Sequence, residues 1–339
     1  MLGTLSRVAA EQAVRAEAAA SVADTRSASP WMEPAPANAG LRASCLVNNY
    51  DYGGFVVEAV SSALAQTSPF DEIVVVDDGS TDDSCERLRA AFSVEPRVVL
   101  IAKENEGQLS CFHRGLEAST GDLVFFLDAD DRYEPRYLER LREIYRSHPE
   151  CHFAVSAYRT FGREEREVRR FDVDRDLGYS AVLALTRSLT KLWVSPTSTL
   201  SMRRPVLERF LPLPHLEDWR TRADDCLLFG SSLAGARKYY SAEPLVGYRI
   251  HGHNHWYGRA FGDAYEADRE AAVDRLLSHL TVRLGLDGLA ARAHEEFALI
   301  DRPALRQLRH YARIALRSDR PPADRAGMVL SMARRVLAP

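Results

Sequence analysis

The chain has 339 residues, 46% hydrophobic and 27% charged, enough apolar material for one large domain with appendages. Its formal net charge of −4 gives no electrostatic reason to expect nucleic acid as a partner. Five scattered cysteines, with no CxxC pair, speak against a disulfide framework or a structural zinc site and fit a reducing cytoplasm.

Residues 1–40 are rich in Ala, Ser and Pro and read as a flexible arm. Glu11, Arg15 and Glu17 interrupt any signal-peptide core there. The texture changes at Leu41, where short apolar runs begin to alternate with helical patterns. Strands are expected at Ser44–Val47, Glu72–Val76, Val98–Ile101 and Leu123–Leu127. Helices are expected between them at Phe55–Leu64, Asp82–Phe92 and Leu109–Ala118. Continuous apolar strands separated by helices predict a mainly parallel sheet covered on both faces, an α/β fold.

Beyond Pro149 the pattern loosens. Phe153–Tyr158 and Ser198–Met202 read as strands, with a helix at Pro205–Phe210. Arg163–Asp176 is charge-dense and reads as an exposed segment. An extended stretch ends at Tyr248–Ile250. From Asp263 the spacing is helical, with Val273, Leu276, Leu277 and Leu280 on one face, and two more helical regions cover Ala304–Leu316 and Arg325–Leu337. The chain thus divides into the arm, a domain over 41–262 and a helical region over 263–339. No run of about 18 apolar residues occurs.

Four segments carry candidate chemistry. In the first, Asp77 and Asp78 stand at the carboxyl end of an apolar strand, where open α/β sheets bind ligands. A carboxylate there accepts hydrogen bonds from a base or a ribose, although the same pair also suits a helix cap. In the second, Asp128, Asp130 and Asp131 follow another buried run. Clustered carboxylates repel one another unless a cation is bound, and oxygen ligands of this kind suit Mg²⁺ or Mn²⁺ bridging to phosphates; the alternative is a solvated acidic turn. No glycine-rich phosphate loop is present. In the third, Asp224 and Asp225 precede an apolar helical run, either as a general base or as acids stabilised by a helix dipole. In the fourth, His251, His253 and His255 alternate on an extended segment, which is a candidate metal site or an exposed turn.

These residues, in this order, resemble the GT-A fold glycosyltransferases of family 2. The resemblance runs from about Ser44 to Asn254. It is carried by the opening from Ser44 to Asp51, the Gln66–Thr67 pair, Val76 to Asp82, Asn105 to Gly107, Gly121–Asp122 and Leu127 to Asp131. It implies an inverting transferase that moves a sugar from a nucleotide-diphosphate sugar, UDP-linked by expectation, to an acceptor hydroxyl of a carbohydrate or lipid-linked molecule. By the resemblance, Val47, Asn49 and Tyr50 lie beside the nucleobase, Asp78 hydrogen-bonds it, and Asp128 touches the ribose. Asp130 and Asp131, with His251, would hold Mg²⁺ or Mn²⁺. Asp225 takes the base position, with Asp224 before it.

The chain departs from the family where Asn48 replaces the usual Pro of the opening strand and where the acidic pair is Asp-Asp rather than Glu-Asp. Glu217–Asp218–Trp219 is a competing match for that pair. A sugar nucleotidyltransferase and a non-catalytic sugar-nucleotide-binding protein are the rival readings. The expected location is the cytoplasm, with peripheral membrane contact and oligomeric state left open.

Overall fold

The computed structural model describes residues 30–36, 41–187, 195–252, 254, 261–301 and 303–337. The first half alternates as expected: β1 (Ala43–Asn49), α1 (Val56–Leu64), β2 (Glu72–Asp77), α2 (Ser84–Phe92), β3 (Val98–Ala102), α3 (Gln108–Ala118) and β4 (Leu123–Asp128). A two-residue strand, β5 (Arg132–Tyr133), leads to α4 (Tyr137–Ser147). The sequence reading leaves this helix out, although Leu138, Leu141 and Tyr145 recur at helical spacing and are buried.

Next come β6 (Phe153–Gly162), β7 (Arg166–Val168), β8 (Arg175–Gly178), α5 (Ala181–Leu185), β9 (Leu200–Arg203), α6 (Arg204–Phe210), α7 (Ala223–Leu233) and β10 (Lys238–Ile250). The segment expected to be exposed over 163–176 holds β7 and the start of β8, which pair with β6 and β10. Their backbones join the sheet while their charged side chains face water, so no apolar alternation announces them. The C-terminal region forms α8 (Asp263–Arg283), α9 (Ala293–Ala298), α10 (Leu305–Leu316) and α11 (Pro322–Leu337).

One mixed sheet runs β3-β2-β1-β4-β9-β6-β10-β5. The block β3, β2, β1, β4 is parallel, and β9 is antiparallel to both β4 and β6. Alternate strand residues feed two cores. Cys45, Val47, Ile73, Val75, Phe125 and Leu127 pack with α1 and α4. Leu46, Val74, Val76, Val124 and Phe126 pack with α3 and α7. That second core continues into Leu276, Phe297, Tyr311 and Met332, so the C-terminal helices share it.

A buried polar link reinforces this join. Glu296 accepts hydrogen bonds from the Tyr311 hydroxyl (2.7 Å) and the Val182 amide (2.9 Å). Lys238, fully buried on β10, donates to Ser180 Oγ at 2.8 Å. Burial pushes the Lys238 ammonium down to about 7, against the pull of Glu296. Among the described residues no helix is long and apolar enough to cross a membrane.

The flexible arm expected over residues 1–40 meets a correction at its described part. Residues 30–36 lie on the domain: Trp31 is buried, the Met32 amide donates to Gly235 O (2.8 Å), and the Ala35 amide donates to Pro149 O (2.8 Å). Gly235, at φ +80°, lets the backbone of Pro30 approach, since a Cβ there would stand 1.9 Å from Pro30 O. One indole supplies enough apolar area to offset ordering a few residues, which composition alone does not reveal. The rest of the arm lies outside the described residues.

Candidate active site

The chain leaves β1 toward β2 and β3, then returns to place β4 on the other side of β1. Strand order reverses there, and the carboxyl ends of the strands open a crevice at such a switch. Register brings the two acidic motifs to either side of β1: Asn48 pairs with Asp128 and Asn49 with Asp77. The side chains follow. Asn48 Nδ2 donates to Asp128 Oδ1 (3.0 Å), and Asn49 Nδ2 donates to Asp77 Oδ2 (2.6 Å). The Oδ1 atoms of both asparagines are buried and have no hydrogen-bond partner among the described residues. Val47 is buried beneath them, while Tyr50 is exposed at the rim.

Asp78, at the end of β2, is held by three donors. Its carboxylate accepts from Lys103 Nζ and from the amides of Glu106 (3.0 Å) and Gly107 (2.8 Å). It therefore ties the end of β2 to the loop before α3. Gly107, at φ +95°, allows a further close approach, since a Cβ would stand 2.3 Å from Arg220 Cα.

The cluster after β4 splits into two kinds of carboxylate. Asp131 is fully buried and both its oxygens are engaged, Oδ1 by the Arg249 amide (2.9 Å) and Oδ2 by Ser198 Oγ (2.6 Å). Ser198 Oγ also accepts from the Asp128 amide (3.0 Å), which fixes the turn. Asp131 thus anchors β10 to the turn after β4. Asp130 instead faces His251, with Nε2 3.1 Å from its Oδ2. The His251 ring is framed by Phe55 (4.9 Å between centroids) and Tyr52 (5.7 Å). His253 and His255 lie outside the described residues. Burial, then the neighbouring Asp130, raises the Asp128 carboxyl to about 7. Asp131 is pushed well above the carboxylate range by burial and by both neighbouring acids.

The N-terminus of α7 reaches this cluster through one side chain. Gln108 Oε1 accepts from the Ala223 amide (3.0 Å), while Gln108 Nε2 donates to Asp128 Oδ1 (3.1 Å). The acidic pair that follows divides. Asp225 is buried against arginines: Arg269 of α8 donates to its Oδ2 (2.8 Å), and Arg222 Nε stands 3.3 Å away. Asp224 lies within the field of Asp128, and burial followed by the charge of Asp225 lifts it to about 7. The competing acid, Asp218, is turned to Arg275 of α8 at 2.6 Å.

Sequence reading alone missed Gln108, Ser198 and Arg269. Asn48 drew notice only as a departure from the family. A polar residue on the last turn of an apolar strand was the available signal for it, and Gln108, next to a glycine turn, offered a weaker one.

Comparison with known proteins gives a consistent picture. The model of glycosyl transferase family 2 matches residues 44–210. An uncharacterized glycosyltransferase of Nostoc sp. is 30% identical over 250 residues, covering 72% of this chain and 77% of that protein. The putative teichuronic acid biosynthesis glycosyltransferase TuaG of Bacillus subtilis is 28% identical over 129 residues, and the match spans 51% of its length. Among solved structures, TarS residues 1–349 of S. aureus in complex with UDP-GlcNAc superposes with a TM-score of 0.53 at 15% identity, covering 87% of this chain and 72% of that one. That likeness is one of fold.

Proposed function

Since the chain belongs to glycosyltransferase family 2, we propose that it transfers a sugar from a UDP-sugar to an acceptor hydroxyl with inversion, at the crevice between β1, β4 and the start of α7. One observation carries this reading. Strand register sets Asn48 and Asn49 between Asp77 and Asp128, and Gln108 fastens the Asp224–Asp225 pair to the same Asp128. Donor and base sites then face one another. The uridine lies over the carboxyl end of β1, with Tyr50 at the rim. Asp78 acts by holding the loop over 103–107, and Asp128 faces the ribose.

The donor set fits a divalent cation of the Mg²⁺ or Mn²⁺ type. Asp128 and Asp130 repel one another, and among the described residues no three His, Cys, Asp or Glu side chains form a complete cage. Such ions are commonly bound by one or two carboxylates completed by substrate phosphates, so Asp130 and His251 are the proposed protein ligands. When bound, the ion neutralises charge developing on the leaving diphosphate.

Asp224, held near neutrality, removes the acceptor proton. This exchanges the roles that the sequence implied for the pair, because Asp225 is already committed to Arg269 and Arg222. The TarS complexes with UDP-GlcNAc and UDP make UDP-sugars the first donors to test, and the TuaG match points to a cell-surface glycan or glycolipid acceptor. A thermal-shift screen of UDP-sugars with and without Mn²⁺ decides: a donor that raises Tm only with metal supports the reading. The absence of a shift with any nucleotide sugar overturns it.

A further inference from the structure

Charge is distributed unevenly along this chain. Between residues 299 and 337 there are nine arginines against three aspartates, with no Lys or Glu, a net +6 in a chain whose total is −4. The remainder therefore carries −10. The basic segment is the pair α10 and α11. Arg325 of α11 donates to Leu316 O at the end of α10, and Arg335 donates to Ile300 O before its start, so the two helices run antiparallel.

Each helix buries one face: Tyr311, Ile314 and Ala315 on α10, Met328 and Met332 on α11. The opposite face of α10 presents Arg306, Arg309 and Arg313, with Arg317 just beyond it, all exposed. None of the four makes an ion pair with an acidic side chain among the described residues. Beside them stand four leucines, Leu305, Leu316, Leu330 and Leu337, each more than half exposed. Leu330, Arg334 and Leu337 share the outer face of α11 by helical spacing.

We propose that the outer face of α10 and α11 docks on an anionic lipid surface. Arginines interleaved with exposed leucines on paired helices match the chemistry of an interfacial helix, whose basic side chains meet lipid headgroups while its apolar ones enter the acyl boundary. The acidic remainder of the chain is repelled by the same surface, which leaves this face as the one that approaches. The proposal does not depend on the transferase reading, and its test needs no activity.

The test is co-sedimentation of the full chain with vesicles of phosphatidylcholine alone and with phosphatidylglycerol added. Binding is expected only to the anionic vesicles and weakens as salt rises. Each arginine near such a surface is worth about fivefold in partition, so Arg306→Glu/Arg309→Glu/Arg313→Glu should lower binding by about 100-fold or more. Should that triple change lower Tm, Leu330→Ser/Leu337→Ser decides, since both side chains stand in solvent; it should weaken vesicle binding several-fold with Tm unchanged. Equal binding to neutral vesicles overturns the proposal, as does binding that neither variant alters. Absence of vesicle binding together with a concentration-dependent dimer that the charge reversals break identifies the face as a contact between copies instead.

Discussion

Replacing Asp224 by Asn tests the assignment of the base most directly. Its carboxyl sits near 7, where the ordinary carboxylate value is 3.8, because burial and the charge of Asp225 disfavour ionisation. In the wild type, turnover should therefore rise with pH and level off above about 7, falling roughly tenfold for each pH unit below it. Asp224→Asn should cost about 10²–10⁴ in rate and abolish that limb, while donor affinity moves by less than about tenfold. Asp225→Asn leaves Asp224 in place and removes the like charge beside it, so the limb should shift to lower pH with activity retained.

Stability gives an independent readout. A carboxyl raised in the folded state holds a proton that the unfolded chain releases near 4, so its contribution declines as pH rises from 4 to 7. Asp224→Asn removes that cost and should raise Tm relative to wild type increasingly over this interval. The corresponding free energy is up to about 4 kcal/mol, reduced by whatever screening the partly open carboxyl receives. The assay is metal-dependent release of UDP from UDP-sugars across pH, alongside thermal melts at the same pH values. If Asp225→Asn abolishes turnover while Asp224→Asn spares it, the assignment is wrong. If Asp218→Asn alone abolishes it, the base lies on the Arg275 side instead.

Asp130→Ala should eliminate the metal-dependent part of UDP-sugar binding without lowering the apo Tm, since it relieves repulsion on Asp128 and Asp131; calorimetry showing unchanged affinity in EDTA would refute this. Trp31→Ala should cost about 3 kcal/mol or somewhat less, because the indole is not wholly enclosed, whereas deleting residues 1–29 should leave denaturant melts unchanged. Lys238→Met should remove the rise in Tm that the wild type shows as pH climbs from about 7 toward 10, where the unfolded chain still holds the lysine proton that the folded one has released; thermal melts across that interval check it, and an unchanged slope refutes it.

The sequence by itself determined the plan of the β1–β4 half. Runs such as Ile73–Val76 and Val124–Leu127 are apolar at every position, and only a strand covered on both faces buries all of them. Acids immediately after such runs must emerge at the carboxyl edge of the sheet, so the location of Asp77, Asp78, Asp128 and Asp130 was legible from local pattern. What lay beyond reach was direction and partnership. Asp224 and Asp225 are adjacent in sequence yet face different groups, because helix geometry turns successive side chains about 100° apart and the surroundings of each come from distant elements. Arg269 lies 44 positions from the Asp225 it engages, and Gln108 is 115 from the Ala223 amide it accepts. The same limit hid β7 and β8, whose pairing is made by backbone alone, and the docking of Trp31. Periodicity records which face a residue shows to the core; which residue meets it there is set only when the chain has closed on itself.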